Sequence, residues 1–188
     1  MEKEYKLLLS LAKKISNSFP AFYLAGGTAL MLKHKHRVSV DLDFFNQKSF
    51  SYSRLSTKVR ENFFVEAEEK FEDNIDFFID KIKISFVYFP FKNILPLENL
   101  NEISIASDYD IFLNKIYVAE RRIDPKDPYD AAFLYKKYKW DKAKIKNDFQ
   151  LKFPNQSYEI FLGALLNFDD YPKLNKWIKQ ELLHLINF

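Results

Sequence analysis

A glycine pair between a strand and a helix, followed at short range by two aspartates on the next strand, restricts the folds open to this chain more than any other feature. Phe22-Tyr23-Leu24-Ala25 reads as a short buried strand and Thr28-Ala29-Leu30-Met31-Leu32 as the opening of a helix. Between them, Gly26 and Gly27 permit a tight turn with positive φ and let a ligand approach the backbone. The N–H groups of such a helix start favour phosphate, and the Thr28 hydroxyl adds a donor. The next strand, expected near 38–45, carries Asp41 and Asp43. Alternation puts Arg37, Ser39, Asp41 and Asp43 on one face and Val40, Leu42 and Phe44 on the other. Two such carboxylates lie about 6–7 Å apart at their backbones, so their oxygens can converge on one divalent cation or grip two. Mg²⁺ suits them, because it favours carboxylate oxygen and is completed by water and substrate phosphates. One half of the stretch can hold a triphosphate and the other a cation. Taken singly, each motif also has a structural reading, as a connecting turn and as a solvated or capping acid pair.

The rest of the chain divides into two patterns. Tyr5–Ser18 places Leu7, Leu8, Leu11, Ala12 and Ile15 at helical spacing, and Pro20 closes that helix. A helix is expected over 52–62 with Leu55 and Val59 inward, while 63–71 is ambiguous. Strands follow at 75–79 and 82–89, joined by a tight turn at Asp80-Lys81, and Pro90 and Pro96 bound a loop. From Ser107, which with Asp110 makes a helix start, the pattern is helical: one helix to about Arg122, then others from Asp127-Pro128, near 141–150, 157–168 and 173–186. The expected organisation is an α/β domain over 1–105 and a helical domain over 106–188.

The helical half holds a second constellation. Lys115 and Arg122 are two helical turns apart, so they project from one face and can bind the β and γ oxygens of a triphosphate. Asp127 and Asp130 follow, and Asp127 before Pro128 also reads as an ordinary N-cap with Asp130 favouring the positive helix end.

Composition removes several classes. The chain of 188 residues has no cysteine, so disulfides and thiolate metal sites are excluded. Its 18% aromatic content argues for a packed core rather than disorder. No apolar run reaches the ~18 residues of a membrane span, and Met1–Lys6 lacks the apolar segment of a signal peptide, so a cytoplasmic protein is expected. Residues 61–80 hold eight acids against one base, whereas 113–153 hold eleven Lys/Arg against six acids. The basic half suits a nucleic acid lying along it, although each run alone is equally a solvated face.

Gly26-Gly27-Thr28-Ala29-Leu30, His36-Arg37-x-Ser39-x-Asp41-Leu42-Asp43-Phe44 and Lys115-x6-Arg122-x4-Asp127-x2-Asp130 resemble the AbiEii/AbiGii-type toxin nucleotidyltransferases, a branch of the DNA-polymerase-β-like superfamily. The resemblance spans 22–45 and 108–135 with motif order kept. It implies an α+β nucleotidyltransferase core, a small mixed sheet flanked by helices, followed by a C-terminal helical bundle completing the active-site cleft. It further implies that Gly26, Gly27, Thr28, Arg37, Ser39, Lys115 and Arg122 bind nucleotide, that Asp41 and Asp43 hold Mg²⁺ or Mn²⁺, and that Lys115 and Asp130 act with them in catalysis. A later-strand third carboxylate falls at Ser85, for which Asp76, Asp130 or Asp127 can substitute. The implied activity moves a nucleoside monophosphate from an NTP to an acceptor hydroxyl, with RNA (the tRNA 3′ end) as acceptor and a separate antitoxin as partner. A small-molecule or protein acceptor, or a degenerate nucleotide-binding partner, is the alternative.

Overall fold

Leu8, Leu11, Ala12 and Ile15 are buried along one side of α1 (Glu2–Ser18) in the computed structural model, which describes residues 2–186. Leu7, expected on that side, is exposed, because it falls off the stripe set by the other four. The chain then enters β1 (Tyr23–Ala25), α2 (Gly26–His34), β2 (Leu42–Asn46) and α3 (Tyr52–Asn62). Five more strands follow, β3 (Ala67–Lys70), β4 (Asn74–Ile79), β5 (Ile82–Tyr88) and the β6 (Glu98–Leu100)/β7 (Ile103–Ile105) hairpin. They form one seven-stranded mixed sheet in the order β3-β4-β5-β2-β1-β7-β6, parallel at β2/β5 and β1/β7 and antiparallel elsewhere. The α+β class with a mixed sheet is as expected.

The sheet has unlike faces. Leu42, Phe44, Ile75, Phe77, Ile84 and Phe86 are buried on one, where the Phe86 ring meets Phe19, Phe22, Phe44 and Phe77 at centroid distances of 4.9–5.9 Å. Register places Asp43, Ser85 and Asp76 in one row on the other face. Both hairpin turns, Asp80-Lys81 and Asn101-Glu102, hold two consecutive residues at positive φ (52° and 63°, 50° and 68°), the backbone that matches strand twist.

Two expectations change. The aspartate strand begins at Leu42 rather than 38, and Val40, expected inside, is 53% exposed. β1 ends at Ala25, opposite Asp43, because Gly26 already starts α2, so 38–41 have no ladder to join on that side. The ambiguous stretch 63–71 contains β3, an edge strand with charged side chains, a composition that discourages pairing with other chains.

The second unit is helical: α4 (Asp108–Ala119), α5 (Lys126–Tyr138), α6 (Lys142–Lys152), α7 (Tyr158–Leu165), a short 3₁₀ turn and α8 (Lys176–Leu183). Ser107 caps α4 by accepting from the Asp110 N–H at 2.9 Å. α4 is buried on nearly every side, with α5 and α7 packed on it and Tyr117 stacked on Phe153 (4.2 Å) and Phe161 (5.3 Å). Residues up to 92 together with 96–106 form the α/β unit, and 93–95 join the helical unit that begins at Ser107. The Asp110 carboxylate draws 93–95 there. It accepts from the N–H groups of Ile94 (2.8 Å) and Leu95 (3.0 Å) and from the buried Lys152 ammonium (2.6 Å).

Candidate active site

Both glycines of the turn are required by what lies against them. Gly26 has φ +70°, and a Cβ there would stand 2.6 Å from Asp43 Oδ2. A Cβ on Gly27 would meet Arg37 Nη2 at 2.3 Å and Ser39 Oγ at 3.3 Å. The turn is therefore covered by the carboxylate, guanidinium and hydroxyl that strand parity assigns to one face. Ala25 offers no side-chain cap to α2, and the first turn of α2 carries no acid, so its N-terminal amides and positive dipole end meet no acidic side chain of their own helix.

The Thr28 hydroxyl is engaged within the protein. It is buried, shares a hydrogen bond with Ser39 Oγ at 2.8 Å and donates to the Asp41 carbonyl. Thr28 thus fastens the irregular segment 39–41 to the helix start and sets where Asp41 leaves the backbone.

Asp43 sits in β2 opposite Ala25 of β1 and Ser85 of β5, and Ser85 is opposite Asp76 of β4. At about 4.8 Å per strand, Asp76 is two strands from Asp43, near 10 Å at the backbone. Its buried carboxylate accepts from Asn74 Nδ2 at 2.6 Å and lies 3.7 Å from the Lys83 ammonium. Lys83 shares the parity of Ser85 on β5, so alternation alone places it on the same face. Among the described residues, no three His, Asp or Glu side chains gather as a metal-binding group. The Asp43 carboxylate stands over the turn, Asp41 is tied to it through its backbone carbonyl, and both residues are half-buried. This pair of acids fits a hard cation completed by substrate phosphate and water, and does not fit one caged by protein alone.

In the helical unit, Lys115 of α4 and Asp127 and Asp130 of α5 meet as a buried cluster, with Lys115 Nζ 2.6 Å from Asp127 Oδ1 and 3.0 Å from Asp130 Oδ2. Arg122 grips Asp127 with two hydrogen bonds of 2.9 and 3.0 Å. Both carboxylates are fully buried and Lys115 is 5% exposed, whereas the Arg122 side chain is 56% exposed. Burial pulls the Lys115 ammonium down, but Asp130 and Asp127 outweigh it and its pKa rises. Burial pushes the Asp127 carboxyl up, but Lys115 and Arg122 outweigh it and hold it below the usual range. The N-cap reading of Asp127 is corrected: α5 begins at Lys126 after Pro125, and the Asp127 side chain serves the ion pairs instead. The expectation that Lys115 and Arg122 project from one face of a helix running to about Arg122 is also corrected: α4 ends at Ala119, so Arg122 lies beyond it and is exposed while Lys115 is buried.

Residues 9–176 match the protein family described as nucleotidyl transferase AbiEii toxin, type IV TA system. The uncharacterized protein aq_aa25 of Aquifex aeolicus (strain VF5) is 33% identical over 153 residues, covering 79% of this chain and 74% of that protein. The fold is similar to that of JHP933 from Helicobacter pylori, with a TM-score of 0.60, 19% identity and coverage of 97% of this chain and 87% of that one. It is also similar to the Megavirus polyadenylate synthase, with a TM-score of 0.50, 12% identity and coverage of 75% and 33% respectively. At those identities the two solved structures show the fold alone.

Proposed function

Since the chain belongs to the AbiEii family of nucleotidyl transferase toxins, and so is a nucleotidyltransferase, we propose that its acceptor is RNA, at the 3′ end of tRNA, and that a divalent cation held by Asp41 and Asp43 assists the transfer. The observation that carries this reading is the Gly26-Gly27 turn covered by Asp43, Arg37 and Ser39. The amides of the turn and the N-terminus of α2 take the triphosphate oxygens, and the Arg37 guanidinium offsets part of their charge. Thr28 and Ser39 hold the segment that presents Asp41. The cation, Mg²⁺ or Mn²⁺, would supply neutralisation of triphosphate charge. The acceptor oxygen bonds to the α-phosphorus, the bond from that phosphorus to the bridging oxygen breaks, pyrophosphate leaves and the hydroxyl proton passes to solvent.

Lys115, Asp127 and Asp130 then act as a positioning cluster for Arg122, the member with surface to offer a polyphosphate. The basic excess of 113–153 supports an RNA acceptor. Setting aside the buried Lys115 and Lys152 with the buried Asp127 and Asp130 leaves that excess unchanged. No described helix is long and apolar enough to cross a membrane. A cognate antitoxin as partner and the cytoplasm as location complete the proposal.

The test incubates the purified protein with Mg²⁺, total tRNA and each α-labelled NTP in turn. Label should enter RNA with the wild type and vanish with Asp41→Ala or with a chelator. Equal labelling by Asp41→Ala overturns the cation assignment, and label entering protein or a small molecule instead overturns the RNA acceptor.

A further inference from the structure

The end of α5 and the start of α6 carry six lysines between residues 136 and 146 against one acid, Asp141. Five of them are exposed and Lys142 is half-buried. Helix electrostatics explains only part of this run. Lys136 and Lys137 lie in the last turn of α5 and complement its negative end. Lys142 and Lys144 stand in the first turn of α6, where the positive end of the dipole disfavours cations. Their protein partners are weak compensation. Lys144 pairs with Asp148 and Lys139 with Glu181, both lysines 52% exposed, and Lys142 donates to the Ile186 carbonyl at 3.0 Å. Exposed pairs of this kind hold their partners loosely in salt.

Aromatic rings are interleaved with the lysines. Lys139 ends α5 in the left-handed region (φ 48°), and the chain turns so that Trp140 stacks on Tyr138 at 4.7 Å and 18°. The Tyr138 hydroxyl donates to Asp108 Oδ2 at 2.5 Å, and Trp140 is wedged against Tyr109 and Phe112 at 4.9 and 5.1 Å. Tyr138 nevertheless remains 40% exposed. Its ring is thus fixed by Trp140, and the exposed Lys137 ammonium lies 5.1 Å from its centroid, a flexible cover that a stacking base would displace while the ring itself stays in place.

We infer that this surface binds an unpaired segment of RNA, its lysines taking the sugar-phosphate backbone and the Tyr138 ring taking a base. The inference rests on the RNA-acceptor reading above for its occupant and deepens it by naming where the helical unit grips that RNA. Cation and ring together fit a strand with accessible bases better than a closed duplex, whose bases are stacked inside. A lipid surface would require exposed aliphatic side chains. Between 136 and 146, Tyr138 is the large hydrophobic side chain that stays exposed among the described residues.

The experiment measures binding of a short, unstructured, fluorescein-labelled RNA to the full chain across a salt series. It compares the wild type with the triple variant Lys136→Gln/Lys137→Gln/Lys142→Gln and with Tyr138→Leu, after thermal unfolding has shown each to be folded. Each lost phosphate contact flattens the slope of log affinity against log salt by about 0.7, so the triple variant should lose about 2 from that slope. Tyr138→Leu should weaken binding on the order of tenfold. Unchanged affinity and slope in the folded triple variant overturn the inference, as does wild-type binding to anionic vesicles with none to RNA. If the wild type and the triple variant label tRNA with the same KM, the patch is wrong and the RNA acceptor stands. If RNA binds through the patch but is never labelled, the patch stands and the acceptor reading falls.

Discussion

Gly26 and Gly27 are neighbours, yet a methyl group added at each meets a different kind of obstacle. At Gly26 it collides with a carboxylate on a strand and forces an L-residue to hold φ +70°, a conformation costing roughly 1–2 kcal/mol before any clash. At Gly27 it meets the far end of the Arg37 side chain, which can swing away. Gly26→Ala should therefore lower stability by about 1–3 kcal/mol and abolish turnover. Gly27→Ala should cost under about 1 kcal/mol and act mainly by raising KM for the NTP as Arg37 is displaced. Urea melts and steady-state kinetics check both; equal losses of stability at the two positions would contradict the geometry. At this scale the sequence was informative where geometry is local. Parity grouped Arg37, Ser39 and Asp43 without knowledge of the fold. It misjudged Val40 because the length of β1, which decides where β2 can begin, is set by where α2 starts.

Helices α4 and α5 are joined by a charge cluster whose value depends on all its members being present. Lys115→Met takes the buried ammonium from between Asp127 and Asp130 and should destabilise by about 3–5 kcal/mol. Arg122→Ala removes an exposed side chain and leaves Lys115 in place, so it should cost less stability while reducing nucleotide use, a contrast read by denaturation and kinetics together. The pH dependence follows from the directions of shift. Asp127 has a folded pKa below its unfolded value, so its contribution is complete above about pH 4 and fades as pH falls through the folded value. Lys115 has a raised folded pKa, so its contribution is complete below about pH 10 and fades as pH rises through the folded value. The stability gap between the wild type and Asp127→Asn should stay flat near neutrality and narrow below about pH 4. Helical spacing put Lys115 and Arg122 on one face by running the helix to Arg122, but α4 ends at Ala119, and the buried Lys115 and exposed Arg122 meet through Asp127 instead. The 52–62 helix and the turn at Asp80-Lys81 were legible from the spacing of Leu55 and Val59 and from two strand patterns too close for any longer connection. Short β6 and charged β3 were not, because edge strands owe their form to a neighbour rather than to their own pattern.

On the scale of the whole chain, a ligand that binds only the folded α/β unit should stabilise it by mass action. A non-hydrolysable NTP with Mg²⁺ at a hundredfold excess over Kd contributes about 2.7 kcal/mol, or roughly 5–10 °C in Tm for a chain of this size. Asp41→Ala and Asp43→Ala should each lose most of that shift in a thermal scan, and an undiminished shift would detach the acids from the ligand. The two-part composition of the chain, α/β then helical, was readable from the change in periodicity after residue 106. The transfer of Asn93–Leu95 to the helical unit was not, because it depends on backbone amides meeting a carboxylate and on Lys152, far along the sequence. That transfer gives the molecule an order of manufacture. A ribosome delivers Asn93–Leu95 before Asp110 and long before Lys152, so the hydrogen bonds from the Ile94 and Leu95 amides to the Asp110 carboxylate cannot form until α4 has been made. The helical unit therefore receives its first residues early and their buried counter-charge last.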